Sequence, residues 1–311
     1  MYSSMSLTDY VAAWMKTFKS GSVKPATYAR LETSLTTVQS YTISRMQIKD
    51  ITAFDIQQYV NELTQHGYGL TTIKKQLQLV TAPLKQAAAM HFIASDPSIG
   101  VRLPSADKVK KPSKQIAPYT EQEQQRLWEQ IDSATEPGVL AVGIMLETGM
   151  RIGEVMALKW SCVDIQRKRL KVEATILNPT DKKKSTYQNS PKTISSKRMI
   201  PLTPKAIEVL TKLKALYPES EWVFPDSKGS YIGYKTICNL TKQTCKNANI
   251  EYRGEHVFRH TFATNCYYRN VDVKVLSKIL GHSNVNITYN IYISLRGDGF
   301  DEMYLALTSA N

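Results

Sequence analysis

The sequence predicts a mainly α-helical protein of two domains, the second an α+β domain with a small antiparallel β-sheet. Apolar residues recur at helical spacing across the N-terminal third. Residues 104–118 are rich in proline and lysine, as linkers are. β-branched residues alternate loosely with charges at 163–176 and 198–202, which favours strands. The predicted organisation is therefore a helical domain at 1–103, a basic linker at 104–118 and a second domain at 119–311.

Caps and helix breakers define the predicted helices of the first domain. Ser6 starts a sequence typical of a capping box, ahead of the first apolar stripe. Pro25 suits the first turn of a second helix, and Thr52 caps a third helix that Gly67 ends. A fourth helix starts near residue 71, and Pro83 is expected to kink or divide it.

The linker PSADKVKKPSKQIAP contains three prolines, four lysines and few apolar residues. This composition predicts an extended, solvated segment. The segment is either a soluble spacer or an extended basic segment whose lysines lie along the phosphates of a DNA backbone. Beyond it, Thr120 opens a helix and an apolar run from Val139 ends at Gly149, whereas Thr203 with Pro204 restarts helix after the predicted strands.

The formal net charge of +13 favours a polyanionic partner such as nucleic acid. Both predicted domains are basic, although many basic proteins bind no DNA, so charge alone leaves both interpretations open. The hydrophobic fraction of 42% argues against an intrinsically disordered chain.

Cysteine and hydropathy patterns predict a cytoplasmic protein. Cys162, Cys238, Cys245 and Cys266 are dispersed, with no C-x-x-C pair and no spacing that would close a zinc site, so free thiols and no metal are expected. The N-terminus has no charged segment leading into an apolar run, and no stretch approaches about eighteen consecutive apolar residues. Neither secretion nor contact with a membrane is therefore expected.

Residues 148–154, TGMRIGE, form the first motif that suggests chemistry. Arg151 follows a helix-terminating glycine, and Glu154 stands three residues further on, able to reach back to the guanidinium group. Taken alone, the motif is better explained as an exposed arginine beside a carboxylate at the start of a helix.

Residues 256–261, HVFRHT, form the second motif. His256 and Arg259 are three residues apart and therefore share one helical face. A guanidinium group can bind two phosphate oxygens, and an imidazole can exchange a proton near neutral pH. By itself, such a pair is more often a plain surface feature.

The third motif is LGHS at residues 280–283, and Tyr292 follows ten residues after His282. Together the motifs resemble the signature of the tyrosine recombinase (phage integrase) family: T-G-x-R-x-G-E, then H-x-x-R-H-T, then L-G-H-S and a tyrosine about ten residues later. Their order and spacing make chance agreement a poor explanation.

A predicted hairpin between the first two motifs extends the resemblance. The stretch PKTISSKRMIPL at residues 191–202 is similar to the family's K-T-x-x-S-x-R-x-I-P-L hairpin. The similarity points to Lys192 as the catalytic lysine, with Lys197 as the weaker alternative.

The first domain also resembles part of the family. Residues 23–28 (VKPATY) and the helix from Thr71 to Phe92 look like the core-binding domain of integrases of phages and conjugative transposons. The resemblance implies a helical core-type DNA-binding domain followed by an α+β tyrosine recombinase catalytic domain. Nothing ahead of the first domain could serve as a small arm-binding domain, so binding to distant arm sites is in doubt.

The resemblance implies a site-specific DNA recombinase or integrase that works through a 3′-phosphotyrosyl intermediate, without metal, ATP or another cofactor. Tyr292 would be the nucleophile, and Tyr289 is the competing candidate on the same helical face. Glu154 would orient the active-site arginine, and His260 would pack behind the phosphate pocket.

The resemblance also implies catalytic roles for the other residues that match the family's motifs. Arg151 and Arg259 would clamp the scissile phosphate, and His282 would donate a further hydrogen bond to it. His256 would accept the proton of the phenol, and Lys192 would protonate the departing 5′ oxygen.

The implied partner is double-stranded DNA at core sites, with a dimer on one site and a homotetramer on two duplexes, and a directionality factor is a further possible partner. Phosphate contacts would supply most of the affinity, while a few side chains read bases. By resemblance and helical register, the candidate DNA contacts are Lys24, Thr27, Arg30, Lys74, Lys75 and Gln78 in the first domain, and Lys235 and Lys242 in the second.

Two other functions stay open at this point. A type IB topoisomerase shares the tyrosine chemistry but relaxes supercoils without site preference, and synapsis of two duplexes would distinguish it from a recombinase. A DNA-binding regulator on the same fold would be favoured if the nucleophile, an arginine or a histidine were missing, and none is missing.

Overall fold

The computed structural model describes residues 2–23, 25–109, 117–177, 186–188 and 197–289. Contacts divide the chain into two compact units, the first holding the described residues up to 109 and the second those from 117 onward. Each unit has an apolar core of its own, as expected of domains that fold separately.

Helices joined by short turns make up the described part of the first unit. They are α1 (Leu7–Phe18), α2 (Pro25–Gln39), α3 (Ala53–Gln65) and α4 (Leu70–Ala89), with 3-10 turns at Tyr2–Ser4, Thr42–Arg45 and Ala106–Lys108. Their inward faces meet in one core, which includes the fully buried Val11, Val38, Ile56, Leu63 and Leu84.

Capping starts these helices where the sequence predicts. The side chain of Ser6 accepts the backbone N–H of Asp9 at the start of α1. Thr52 and Asp55 form a reciprocal capping box at the start of α3, and α2 begins at Pro25. Each cap satisfies backbone N–H groups that have no partner within the helix.

The expectation that Pro83 divides the fourth helix is wrong. α4 runs through Pro83 without interruption. Proline removes one backbone hydrogen bond from a helix, but here the ring is buried against the core of the unit. Packing of the apolar face therefore holds the helix together where the backbone is weakened.

The segment that leaves the first unit is fixed against α3. The side chain of Gln57 accepts the backbone N–H of Arg102 at 2.8 Å and donates to its carbonyl at 3.1 Å. The linker was expected to be extended, and this is wrong at Ala106–Lys108, which form a 3-10 turn. Ser105 and Asp107 are residue types that favour tight turns. Residues 110–116 of the predicted linker lie outside the described residues.

The second unit combines helices with short strands. The helices are α5 (Glu121–Ser133), α6 (Pro137–Thr148), α7 (Ile152–Met156), α8 (Pro204–Leu216), α9 (Tyr234–Asn247), α10 (His256–Tyr268) and α11 (Val273–Leu280). The strands are β1 (Val163–Asp164), β2 (Arg169–Val172), β3 (Thr175–Leu177), β4 (Thr186–Gln188) and β5 (Arg198–Pro201). A 3-10 turn spans Trp160–Cys162, and residues 285–289 are helical.

The strands form two small antiparallel arrangements. One sheet has the order β1-β2-β5, and β3 pairs with β4 in a separate hairpin. In the register of β2 and β5, Arg198 stands opposite Val172 and Pro201 opposite Arg169. The predicted fold class, mainly helical with a small antiparallel sheet, is confirmed.

Helix α6 lies at the centre of the second unit. Its side chains from Leu140 to Leu146 are buried all round, which is typical of a helix inside a core. Helices α5, α8, α9 and α10 pack against it. The end of this central helix leads directly into the first sequence motif.

Within the described part of the chain, no helix is long and apolar enough to cross a membrane. The described residues also contain no group of histidine, cysteine, aspartate and glutamate side chains arranged to hold a metal ion. All four cysteines are described and are free thiols.

Candidate active site

The end of α6 places Arg151. Gly149 caps this helix in the left-handed conformation, with φ of 62°, which glycine adopts without strain. A Cβ atom at Gly149 would also lie 2.5 Å from Phe262 and 2.8 Å from Leu280. The chain can therefore turn tightly here, and Arg151 precedes α7 with its side chain 38% exposed.

Glu154 is the buried carboxylate of the site, and it binds two arginines. It accepts the backbone N–H of Arg151 at 2.9 Å and the Nη1 of the same residue at 3.0 Å. It also accepts Nη1 and Nη2 of Arg198 at 3.0 and 2.8 Å. Burial alone would raise the pKa of Glu154, but hydrogen bonds and charge from Arg198, together with Arg151, outweigh it and lower the pKa. The ionised carboxylate of Glu154 therefore holds the guanidinium group of Arg151 in a fixed orientation.

Arg259 lies one turn inside α10, on the face that begins with His256. Its buried guanidinium donates from Nη1 to the carbonyl of Gly149 at 2.9 Å and from Nη2 to the carbonyl of Leu280 at 2.6 Å. Burial, followed by the charge of Arg151, lowers the pKa of Arg259 to about 9, so the group keeps its charge at neutral pH. One side chain thus ties together the first and third motifs.

His282 follows the left-handed Gly281 that caps α11. Its Nδ1 shares a hydrogen bond of 2.7 Å with the hydroxyl of Thr288, which is fully buried. This bond fixes the ring and leaves Nε2 for another partner. Burial, then the charges of Arg259 and Arg151, lower the pKa of His282 to about 3.

His256 and His260 form a pair along α10. Their rings meet edge to face with centroids 5.6 Å apart. Desolvation by the surrounding protein, then the charge of Arg259, lowers the pKa of His256 to about 4, although the residue keeps access to solvent. The pKa of the partly buried His260 is also lowered, by burial and by Arg259. At neutral pH these imidazoles are therefore uncharged.

Motifs that are distant in sequence meet in this part of the second unit. Arg259 joins the turn before Arg151 to the turn before His282 through its hydrogen bonds to the carbonyls of Gly149 and Leu280. Burial is the largest cause of the lowered pKa of Arg259, His256 and His282, and the nearby charge of Arg151 contributes to all three. The guanidinium groups of Arg151 and Arg198 bind one buried carboxylate, that of Glu154, whereas the guanidinium group of Arg259 donates to backbone carbonyls. Such surplus positive charge beside neutral imidazoles suits an anion such as a phosphate group.

Two of the predicted catalytic residues, Lys192 and Tyr292, lie outside the described residues. Their position relative to the cluster stays a prediction. Lys197, the alternative lysine, is exposed immediately before β5. Tyr289, the alternative nucleophile, is described and is 52% exposed.

The described candidates for DNA contact are all exposed and lie on helices. They are Thr27 and Arg30 on α2, Lys74, Lys75 and Gln78 on α4, and Lys235 and Lys242 on α9. Helices α2 and α4 pack against each other within the first unit. Lys24 lies outside the described residues. Exposure leaves these side chains available to a ligand, and their role in DNA binding stays a prediction.

Arg198 and Thr288 belong to the site but are not among the residues predicted for it. The sequence contains a signal for Arg198, because it is the arginine of the R-x-I-P-L pattern after the predicted hairpin. Thr288 has no comparable signal, since nothing in its spacing from His282 indicates that the two side chains meet.

Two family patterns match this chain. The pattern of the phage integrase family matches residues 119–297, and that of the N-terminal SAM-like domain of phage integrases matches residues 6–64. The chain belongs to the phage integrase family. It is accordingly a tyrosine recombinase, an enzyme of site-specific DNA recombination.

Relatives and solved structures are similar over most of the chain. It is 29% identical to a tyrosine recombinase XerC-like protein of Caldanaerobacter subterraneus subsp. tengcongensis, over 94% of this chain and 80% of the relative. Its fold is similar to that of the Tn1549 transposon integrase in complex with a circular intermediate DNA, with a TM-score of 0.79, 19% identity, and coverage of 93% and 95%. A lambda integrase tetramer bound to a Holliday junction gives a TM-score of 0.68, 17% identity, and coverage of 93% and 77%.

Proposed function

We propose that this recombinase cleaves and rejoins DNA strands through a 3′-phosphotyrosyl intermediate on Tyr292. The proposal is carried by the cluster of Arg151, Arg259, His256 and His282. Arg259 shares a helical face with His256 and donates to the carbonyls of Gly149 and Leu280, each two residues before another member of the cluster. A phosphodiester in this cluster would meet fixed cations and hydrogen-bond donors aimed at its nonbridging oxygens. Preorganised donors of this kind stabilise the extra negative charge of a pentacoordinate transition state.

The proposed phosphate contacts follow from the bonds already made. Arg151 has guanidinium N–H groups beyond the one that Glu154 accepts, and its side chain is part exposed. Arg259 is held by two carbonyls and has further N–H groups. Because Thr288 engages Nδ1 of His282, the Nε2 of this ring is the atom that would donate to the phosphate.

In the proposed step, the phenol oxygen of Tyr292 bonds to phosphorus, and the bond from phosphorus to the 5′ oxygen breaks. His256, uncharged at neutral pH, would accept the phenol proton, and a bound phosphate would raise the pKa of this ring. Lys192 would give a proton to the leaving 5′ oxygen. One phosphate ester replaces another, so a 5′ hydroxyl of a second strand can reverse the reaction without ATP, and the cationic residues supply the charge stabilisation that a metal ion would otherwise give.

We further propose that the substrate is double-stranded DNA with core sites, bound by a dimer on each site and a tetramer on two. Among the similar structures are a lambda integrase dimer bound to a core site and a lambda integrase tetramer bound to a Holliday junction. Exposed cations on α4 and α9 supply candidate phosphate contacts in each unit. A directionality factor is proposed as a partner that selects integration or excision.

A nicked suicide duplex carrying the core site tests the proposal. Cleavage beside the nick releases a short fragment, so the covalent intermediate cannot be resealed and accumulates. We expect an adduct with the wild type in the presence of EDTA, none with Tyr292→Phe, and an adduct with the matched control Tyr289→Phe. An adduct with Tyr292→Phe, or none with the wild type, contradicts the proposal.

Two further readouts separate the alternative functions. Joining of two core-site duplexes indicates a recombinase. Relaxation of a supercoiled plasmid that has no core site indicates topoisomerase activity instead. Site-specific DNA binding without an adduct indicates a regulator.

A further inference from the structure

We propose that Arg198 is a positioning residue of the DNA-cleaving site. It joins the carboxylate that holds Arg151 to the turn that presents His282, and so directs both side chains at the same phosphate. This inference rests on the proposed DNA cleavage, and it assigns to that reaction a residue outside the predicted catalytic set.

The first contact of Arg198 is a two-pronged pair with Glu154. Nη1 and Nη2 donate to the two carboxylate oxygens at 3.0 and 2.8 Å. The two side chains are only 5% and 4% exposed, respectively. Buried to this extent, Arg198 is poorly placed to touch DNA itself, so its effect on the reaction must pass through the groups it holds.

The second contact of Arg198 is with the end of α11. Its Nε donates to the backbone carbonyl of Ile279, in the last turn of this helix. A Cβ atom at Gly281 would lie 3.1 Å from both Cδ and Nη1 of Arg198, so the guanidinium group lies directly against the turn. His282 is the next residue, and its position therefore depends on the same side chain.

The backbone of Arg198 is itself fixed by the sheet. Arg198 begins β5 and stands opposite Val172 of β2 in an antiparallel ladder. A rigid strand thus carries one side chain that reaches both the first and the third motif. Catalytic groups need such support, because they act only when held close to the productive geometry.

Charge explains why Glu154 needs a second arginine. If Arg151 were the sole partner of a buried carboxylate, the attraction would draw its guanidinium group away from a phosphate. Arg198 occupies both carboxylate oxygens and neutralises the charge. Arg151 then keeps a single side-chain hydrogen bond to Glu154, and its other N–H groups are left for DNA.

A role in stability alone predicts a different outcome. A buried ion pair that only supports the fold would lower the unfolding temperature when broken. It would leave the rate constant and the pH dependence of the folded molecules unchanged. A positioning residue changes both of these quantities.

The test compares Arg198→Met and Arg198→Lys with the wild type in single-turnover cleavage of the suicide duplex. Arg169→Met is the matched control, since Arg169 lies on the neighbouring strand β2 and its side chain is 46% exposed. The affinity for the intact core-site duplex is measured beside the cleavage rate, and both are followed against pH.

We expect Arg198→Met to slow cleavage on the order of 100-fold, with an affinity for DNA close to that of the wild type. The acid limb of its pH profile, the range in which the cleavage rate falls as the pH is lowered, should move to higher pH. The reason is that Glu154 loses the hydrogen bonds that keep its pKa low. Arg198→Lys, which restores the charge and one hydrogen bond, should cleave at an intermediate rate. The control should cleave as the wild type does.

The outcomes separate this inference from the proposed function. If the wild type forms no adduct, the proposed function fails and the inference falls with it. If the wild type forms an adduct and Arg198→Met cleaves at the same rate with the same acid limb, the inference alone is overturned. If Arg198→Met does not fold, a folded Arg198→Lys with the wild-type rate and pH profile overturns it equally.

Discussion

Replacing Arg259 by lysine keeps the positive charge but removes the pair of guanidinium hydrogen bonds that joins the first motif to the third. The guanidinium group donates to the carbonyls of Gly149 and Leu280, and a lysine ammonium cannot reach both with the same geometry. Loss of one charge-assisted hydrogen bond costs about 2 kcal/mol. For a unit of this size that corresponds to a fall of roughly 4–8 °C in Tm.

Thermal unfolding followed by circular dichroism, with chemical unfolding in urea beside it, measures this effect. Arg269→Lys is the matched control, because Arg269 is exposed at the end of the same helix, and it should change stability by less than about 0.5 kcal/mol. The variant at Arg259 should also form the covalent adduct far more slowly. A Tm of Arg259→Lys equal to that of the control would refute the stabilising role assigned to these two hydrogen bonds.

Titration of the free protein by nuclear magnetic resonance should give a pKa of about 4 for His256 and about 3 for His282, because desolvation and nearby guanidinium groups disfavour the protonated rings. Both values should rise when DNA brings a phosphate into the site, and titration near 6.5, the usual value for histidine, would contradict the geometry. Thr288→Val should slow cleavage roughly 10-fold, since it removes one hydrogen bond from the ring of His282. Thr288→Ser keeps the hydroxyl and should cleave at the wild-type rate. Equal rates for the two variants would show that this hydrogen bond does not contribute to cleavage. Replacing both Lys235 and Lys242 by alanine should weaken DNA binding and reduce the salt slope by roughly 2, and an unchanged slope would remove both from the DNA contacts.

Local signals in the sequence predicted much of the fold. Thr52 and Thr120 start helices because their side chains satisfy free backbone N–H groups, and this depends on the nearest residues alone. Gly149 ends α6 for an equally local reason, its left-handed backbone. The division of α4 at Pro83 was wrongly expected because burial of its ring, which no local pattern reveals, supports the helix around it.

The candidate site was predicted less completely than the fold. His256 and Arg259 share a helical face, and a spacing of three residues is enough to predict that. The contact between Arg198 and Glu154 joins residues 44 positions apart, and it exists only because the folded chain brings the start of strand β5 beside helix α7. Thr288 meets His282 across the bend at residues 283–284 and the first residues of the helix that follows it. Such contacts come from tertiary packing, which neither spacing nor composition encodes.

The structure of the Tyr292→Phe variant bound to a core-site duplex tests the central claim most directly, because the uncleaved phosphate can then be located. We expect one phosphate within hydrogen-bond distance, about 3 Å, of the guanidinium groups of Arg151 and Arg259 and of the imidazole of His282. The phenyl ring at position 292 should face the same phosphorus atom. DNA that leaves this cluster empty, with its phosphates held elsewhere on the second unit, would contradict the account.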